Sequence, residues 1–301
     1  MAASSYVKSN EPDIAGDPEA TIRASEAQIA GIRPSAEKQI VWAYPDRRRT
    51  PFCLVYIHGF SASAGEIRPV PDRVATDLKA NLFFTRLAGH GLDGAALGAA
   101  TIEDWTEDLQ EAIRLGEALG DKIILMCTST GAALAVWGLS EPKLAKNIAA
   151  AILISPNFGI RAAGAFLLEA PFARQLIHIT MGPTRNVEPD TDLQRSIWTG
   201  TYPTEALLPM AQAVALARRT KVEDIKTPAL FFYSNGDKVV DSTRTAKIAN
   251  RWGGPSRAIQ VEQTDDPNGH VLAGDAYSPS TTQTVISQIC AWLAETLRPH
   301  S

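Results

Sequence analysis

The chain has 301 residues, 45% of them hydrophobic and 21% charged, the balance of a globular protein able to bury one large core. A net charge of -4 and a pI near 5.8 exclude the basic footprint that nucleic acid or an anionic lipid surface demands. Cys53, Cys127 and Cys290 all lie in apolar segments, which excludes a disulfide framework and fits free thiols in a reducing compartment.

Residues 1–37 are polar, carry Pro12, Pro18 and Pro34, and lack apolar periodicity. They read as an extension that wraps the core or is partly disordered. They contain nothing like a signal peptide, and no later apolar run reaches membrane-spanning length, so a cytoplasmic protein without a membrane span is expected. Gln39 to Ala43 and Phe52 to Ile57 read as strands, the second almost wholly apolar and therefore central in a sheet. Between them, Arg47 to Arg49 make a basic run best read as a solvated turn.

Val70 to Ala80 has helical spacing, and Leu82 to Thr85 is a short strand. Ile102, Trp105, Leu109, Ile113 and Leu119 form one apolar stripe of a helix, with Glu103, Asp104, Glu107 and Asp108 on other faces or near its start. Lys122 to Cys127 is a strand, and Gly131 to Leu139 a helix of small residues. Ala149 to Ile154, Ala229 to Tyr233 and Ala258 to Val261 are further strands, and Thr282 to Leu297 closes the chain as a helix. This alternation predicts an α/β fold with a mostly parallel sheet covered on both faces. Residues 157–202 break the rhythm, with no clear strand but abundant apolar residues, and read as a helical cap over the C-terminal edge of the sheet.

Between the strand ending at Cys127 and the following helix stands Cys127-Thr128-Ser129-Thr130-Gly131. Strand, tight turn and helix place Ser129 at the apex of a nucleophile elbow, where the residues two before and two after it must be small. A serine that N-caps the helix is the plainer alternative. A serine hydroxyl needs a histidine to take its proton and a carboxylate to orient that histidine. Of the five histidines, His270 lies in the loop between the last strand and the last helix, beside the elbow, and is the candidate base. Asp237 emerges from a turn after the strand ending at Tyr233 and is the candidate acid; Asp241 suits the cap of the next helix better. Asp265 and Asp266 are rivals, ranked lower because they lie beside Pro267 in what reads as an exposed turn. Backbone amides of Phe60 and Thr130 are the candidate oxyanion donors. The Phe60 side chain suits either an acyl pocket or the core. No Cys/His cluster has metal-ligand spacing, so no metal or cofactor is expected.

Taken together, these residues resemble those of the α/β-hydrolases of the esterase and lipase group. The likeness rests on His58-Gly59-Phe60, the elbow at Ser129, Gly89-His90-Gly91, Gly236-Asp237 with Val239-Val240, and Gly269-His270-Val271, spread over Lys38 to Leu297. It is nearest to bacterial carboxylesterases and monoacylglycerol-lipase-like enzymes with a short helical cap. The resemblance implies an α/β-hydrolase fold with core residues 38–156 and 203–301 and cap 157–202. It also implies an acyl-enzyme on Ser129, a structural His90, and a small-molecule ester substrate with an apolar acyl or aryl group. A monomer or homodimer is expected. Cys127 departs from the pattern, since glycine is usual there.

Overall fold

The structure is a computed structural model that describes residues 17–187 and 189–298, so the first sixteen residues of the expected extension lie outside it. In chain order the first half comprises α1 (Pro18–Glu26), β1 (Gln39–Val41), β2 (Thr50–Ile57), α2 (Val70–Leu78), β3 (Asn81–Phe84), α3 (Gly94–Ala99) and α4 (Ile102–Leu119). Then come β4 (Gly120–Thr128), α5 (Ser129–Ser140), α6 (Pro142–Ala145) and β5 (Ile148–Ile154). The remainder is α7 (Ala173–Met181), β6 (Thr184–Asn186), α8 (Asp192–Ile197), β7 (Thr201–Pro203), α9 (Leu207–Arg219), β8 (Ala229–Tyr233), α10 (Ser242–Arg251), β9 (Ser256–Gln260) and α11 (Pro279–Thr296).

Seven strands form one sheet in the order β1-β3-β2-β4-β5-β8-β9, parallel except for β1. This is the α/β-hydrolase fold expected from the alternation of strand and helix patterns. Side chains alternate across the sheet. Cys53, Val55 and Ile57 of β2, with Ile123, Leu125 and Cys127 of β4, enter one apolar core shared with α4, α5 and α9. Leu54 and Tyr56, with Ile124 and Met126, enter a second core shared with α2 and α11. Burial on both faces explains why these strands read as nearly continuous apolar runs.

Register fixes where the strands end. Ile57 pairs with Cys127, Thr128 with Ile154, and Ile154 with Phe232. The segments that leave β2, β4, β5 and β8 therefore emerge side by side at one edge, starting at His58, Ser129, Ser155 and Ser234.

Several elements depart from expectation. Residues 17–37 include a helix, α1, capped by Asp17, with Ile22 buried and Glu26 paired to the buried Arg86 at 2.7 Å. The stretch after β5 holds two short strands, β6 and β7, paired as an antiparallel hairpin, besides its helices. Asp108 does not lie on a solvated face of α4. It is buried, its Oδ2 accepts the Ala88 amide at 2.6 Å, and Lys38 offers a compensating positive charge nearby. Arg33 donates to the carbonyls of Leu92 and Ile197 and to Thr199 Oγ1, joining the N-terminal segment to the stretch after β5. Among the described residues no helix is long and apolar enough to cross a membrane.

Candidate active site

The elbow at β4–α5 has the strained geometry expected of it. Ser129 has φ 51°, in the left-handed region that costs a residue with a Cβ. Gly131 is required by close approach: a Cβ there would sit 2.5 Å from the Ile57 carbonyl oxygen and 2.6 Å from that of His58. Cys127 fills the equivalent place before the serine from below. It is fully buried in the core beneath α5, and burial pushes its thiol pKa up, so it is neither accessible nor ionised. Ser129 does not serve as a helix cap, since its hydroxyl faces His270.

His270 Nε2 lies 3.0 Å from Ser129 Oγ, and its Nδ1 lies 2.7 Å from Asp237 Oδ2. Asp237 is buried, and its other oxygen accepts the amides of Val239 at 2.8 Å and Val240 at 2.9 Å, which pins the carboxylate toward the imidazole. Burial alone would lower the His270 pKa. The hydrogen bond and charge of Asp237, helped by Asp266 and Glu66, outweigh it and hold the pKa above the ordinary 6.5. The residue after β5 braces the same group: Ser155 Oγ donates to the His270 carbonyl at 2.6 Å, while the Asn157 amide donates to the Ser129 carbonyl at 3.0 Å.

The rival acids are occupied elsewhere. Asp266 is not in an exposed turn but buried, where its carboxylate accepts the amides of Asn268 at 2.9 Å, His270 at 2.9 Å and Val271 at 2.8 Å. It folds the loop that carries His270. Asp265 accepts the Ser280 amide and hydroxyl at the start of α11. Asp241 caps α10, as its position predicts.

Of the two candidate oxyanion donors, Thr130 lies in the first turn of α5, where amides have no intrahelical acceptor. Phe60 follows Gly59, whose added Cβ would stand 3.2 Å from Ser129 Cβ, so this loop runs directly against the serine. The Phe60 ring packs edge-on against Tyr202 at 5.3 Å and beside Trp105, on the core side. His58 and His90 are both buried, their ring centroids 4.8 Å apart. His58 accepts the Leu87 amide at Nε2, so its proton is on Nδ1, facing the Gly59 carbonyl. Burial lowers its pKa to about 4 and that of His90 well below 6.5, so both imidazoles are neutral fixtures of the loop.

One residue escaped the sequence reading. Glu66, on a short 3₁₀ turn after the Phe60 loop, is buried, and its Oε1 accepts the Gly59 amide and the Tyr56 hydroxyl, each at 2.6 Å. Burial pushes its pKa up to about 7, against the opposing pull of Tyr56, Gly59, His270 and Thr128. The only signal in the sequence is an isolated acid among small and apolar residues, Ala62-Ser63-Ala64-Gly65-Glu66-Ile67.

A cavity of about 130 Å³ opens beside His270, lined by Ser61, Val187, Trp198, Val239 and Tyr277. A larger one of about 690 Å³ lies between α4 and α9 and includes none of the candidate residues. The smaller cavity is the one that bears on the chemistry, because it reaches the imidazole.

The family model described as serine aminopeptidase, S33, matches residues 50–264, well over half of the chain. The chain belongs to that family. The fold of this S33-family member is similar to that of a chain described under the metagenome-derived lipolytic enzymes LipS and LipT, with a TM-score of 0.70 and 20% identity over 88% of this chain and 99% of the other. It is also similar to a monoacylglycerol lipase of Paleococcus ferrophilus, with TM-score 0.61 and 14% identity over 86% of this chain and 98% of that one. A soluble variant of monoglyceride lipase from Saccharomyces cerevisiae, in complex with a substrate analog, gives TM-score 0.59 and 13% identity over 86% and 91%. At these identities the likeness establishes the fold alone. No curated protein sequence matches the chain significantly.

Proposed function

We propose that this S33-family hydrolase cleaves small carboxylic esters through an acyl-enzyme on Ser129. The observation that carries the proposal is the continuous relay from Asp237 through His270 to Ser129, at 2.7 and 3.0 Å. In this scheme His270 takes the Ser129 proton as the oxygen attacks the carbonyl carbon. Asp237 holds the tautomer with Nδ1 protonated and stabilises the imidazolium. The amides of Phe60 and Thr130 hold the oxyanion. His270 returns the proton to the leaving alkoxide, then activates a water that releases the acid. No step calls for a metal or cofactor.

The family description names peptidases, so amide cleavage is the second reading. Recognition of a free amino terminus calls for an acid facing the substrate. The two acids nearest His270 apart from Asp237 are engaged with backbone amides, Asp266 with three and Glu66 with that of Gly59. The cavity beside His270 is lined by Val187, Pro189, Trp198, Val239, Val271 and Tyr277 on its apolar side, and the one acid that borders it, Asp266, is the one already bound by three backbone amides, so the lining suits an uncharged group. Its volume of about 130 Å³ is near that of cavities that take up benzene, about 150 Å³, which favours a short acyl or aryl group.

The test combines a fluorophosphonate probe with p-nitrophenyl esters of increasing chain length and aminoacyl p-nitroanilides. Labelling should vanish in Ser129→Ala, and turnover should be greatest for short esters. Labelling that survives Ser129→Ala sinks the assignment, and faster turnover of the anilides transfers it to the peptidase reading.

A further inference from the structure

Glu66 is a buried carboxylate that the relay does not use. Its Oε1 binds the amide of Gly59, the residue immediately before the Phe60 donor. The same oxygen binds the Tyr56 hydroxyl, which lies 3.0 Å from Thr128 Oγ1, the residue immediately before Ser129. One carboxylate thus joins the two limbs of the candidate oxyanion site, the loop after β2 and the elbow after β4. Its remaining oxygen, Oε2, would lie 3.1 Å from a Cβ placed on Gly59, so the carboxylate is packed directly beneath that loop.

We propose that Glu66 is a positioning residue that clamps the Phe60 amide against the elbow and lends its negative charge to the His270 imidazolium. The proposal rests on the ester-hydrolase reading of Ser129 and His270. The groups that face Glu66 are the Tyr56 hydroxyl on β2, Thr128 on β4, the Gly59 amide and, from the loop after β9, His270. Asp237 and Asp266 act on His270 alongside it. Two functions therefore share one side chain. Its hydrogen bonds set the spacing of the donors, and its charge makes His270 a stronger base. Since Glu66 and His270 each favour the charged form of the other, their protons are released as a coupled pair, which broadens the acid limb of activity.

Glu66→Gln separates these functions, because the amide oxygen still accepts from Gly59 and Tyr56 while the charge is gone. On p-nitrophenyl butyrate its kcat should fall about tenfold, less than the 10²–10³ of losing a whole oxyanion donor, with KM within about twofold. The acid limb of its kcat/KM profile should move to lower pH by roughly half a unit and sharpen to a single proton. Tyr56→Phe, which removes a donor to the carboxylate and leaves the loop intact, should move the limb in the same direction. A purely structural glutamate would lower kcat or stability and leave the limb in place. Wild-type and Glu66→Gln limbs that superimpose overturn the proposal whatever the kcat. A wild-type protein that neither takes the phosphonate nor turns over esters overturns the reading beneath it, so the two failures are distinguishable.

Discussion

Adding one methyl group at Gly131 should disable the site while leaving its polar residues untouched. In Gly131→Ala the new Cβ meets the carbonyl oxygens of Ile57 and His58 at 2.5 and 2.6 Å, and both are backbone atoms that no rotamer change can move. To regain ordinary contact near 3.4 Å, α5 and the end of β2 must separate by about 0.8–0.9 Å. Overpacking of this kind costs about 2–3 kcal/mol, of which up to about 1 kcal/mol is returned by alanine's better helix propensity. The net loss of about 1–2 kcal/mol should lower Tm by about 2–3 °C in a chain of 301 residues. The larger effect is on rate, because the same separation moves Ser129 and Thr130 away from the Phe60 loop. A displacement of roughly 1 Å costs about a hundredfold in kcat. Thermal melts and p-nitrophenyl ester kinetics measure both quantities, with Gly236→Ala as control. A Cβ at Gly236 meets only Ser234 Oγ at 3.5 Å, so that variant should behave as wild type. Gly131→Ala with wild-type Tm and kcat would refute the claim that backbone contact fixes the elbow.

The two buried aspartates near His270 should separate cleanly. Asp237→Asn should lower kcat by about 10⁴ with little change in Tm, because an amide there no longer holds the productive tautomer. Asp266→Asn replaces one carboxylate oxygen by an NH₂ that opposes at least one backbone N–H, that of Asn268 in the better orientation, and removes the charge from the other two bonds; it should lower stability by about 2 kcal/mol, read from urea unfolding, with a smaller loss of kcat. Full activity in Asp237→Asn would displace it as the acid. Glu66 also makes stability depend on pH, since its folded pKa of about 7 lies above its ordinary 4.5. A carboxyl raised in this way costs nothing below 4.5 and destabilises the folded protein as pH climbs through 7. Glu66→Gln should therefore unfold at higher urea than wild type at pH 8 and at the same urea at pH 4, with a gap of at most about 3 kcal/mol. An equal gap at both pH values would show that its charge is not the cause.

What was legible in the sequence was whatever local pattern and burial on both faces determine. β2, β4, β5 and β8 are buried on both sides and stood out as apolar runs; the ends of β4 and β8 located Ser129 and Asp237 at one edge, and the loop after β9 located His270 there. Buried charge was not legible. Asp108, Asp266 and Glu66 look like solvated acids because their partners, the amides of Ala88, His270 and Gly59, are backbone groups brought to them by tertiary structure. The strands of the β6–β7 hairpin, three residues each, are too short to show alternation. The helix α1 was signalled by Asp17 and Pro18 at its start, but its single buried apolar residue, Ile22, hid the period.

The brace formed by Ser155 and Asn157 ties the stretch after β5 to the site residues. Asn157 holds Ser129, Ile160 bridges Val240, and the Arg161 amide and guanidinium bind the carbonyls of Val239 and Asp237. The first residues of that stretch are thereby riveted to the strand ends that carry serine and aspartate, and a displacement before Arg161 would drag the relay out of line.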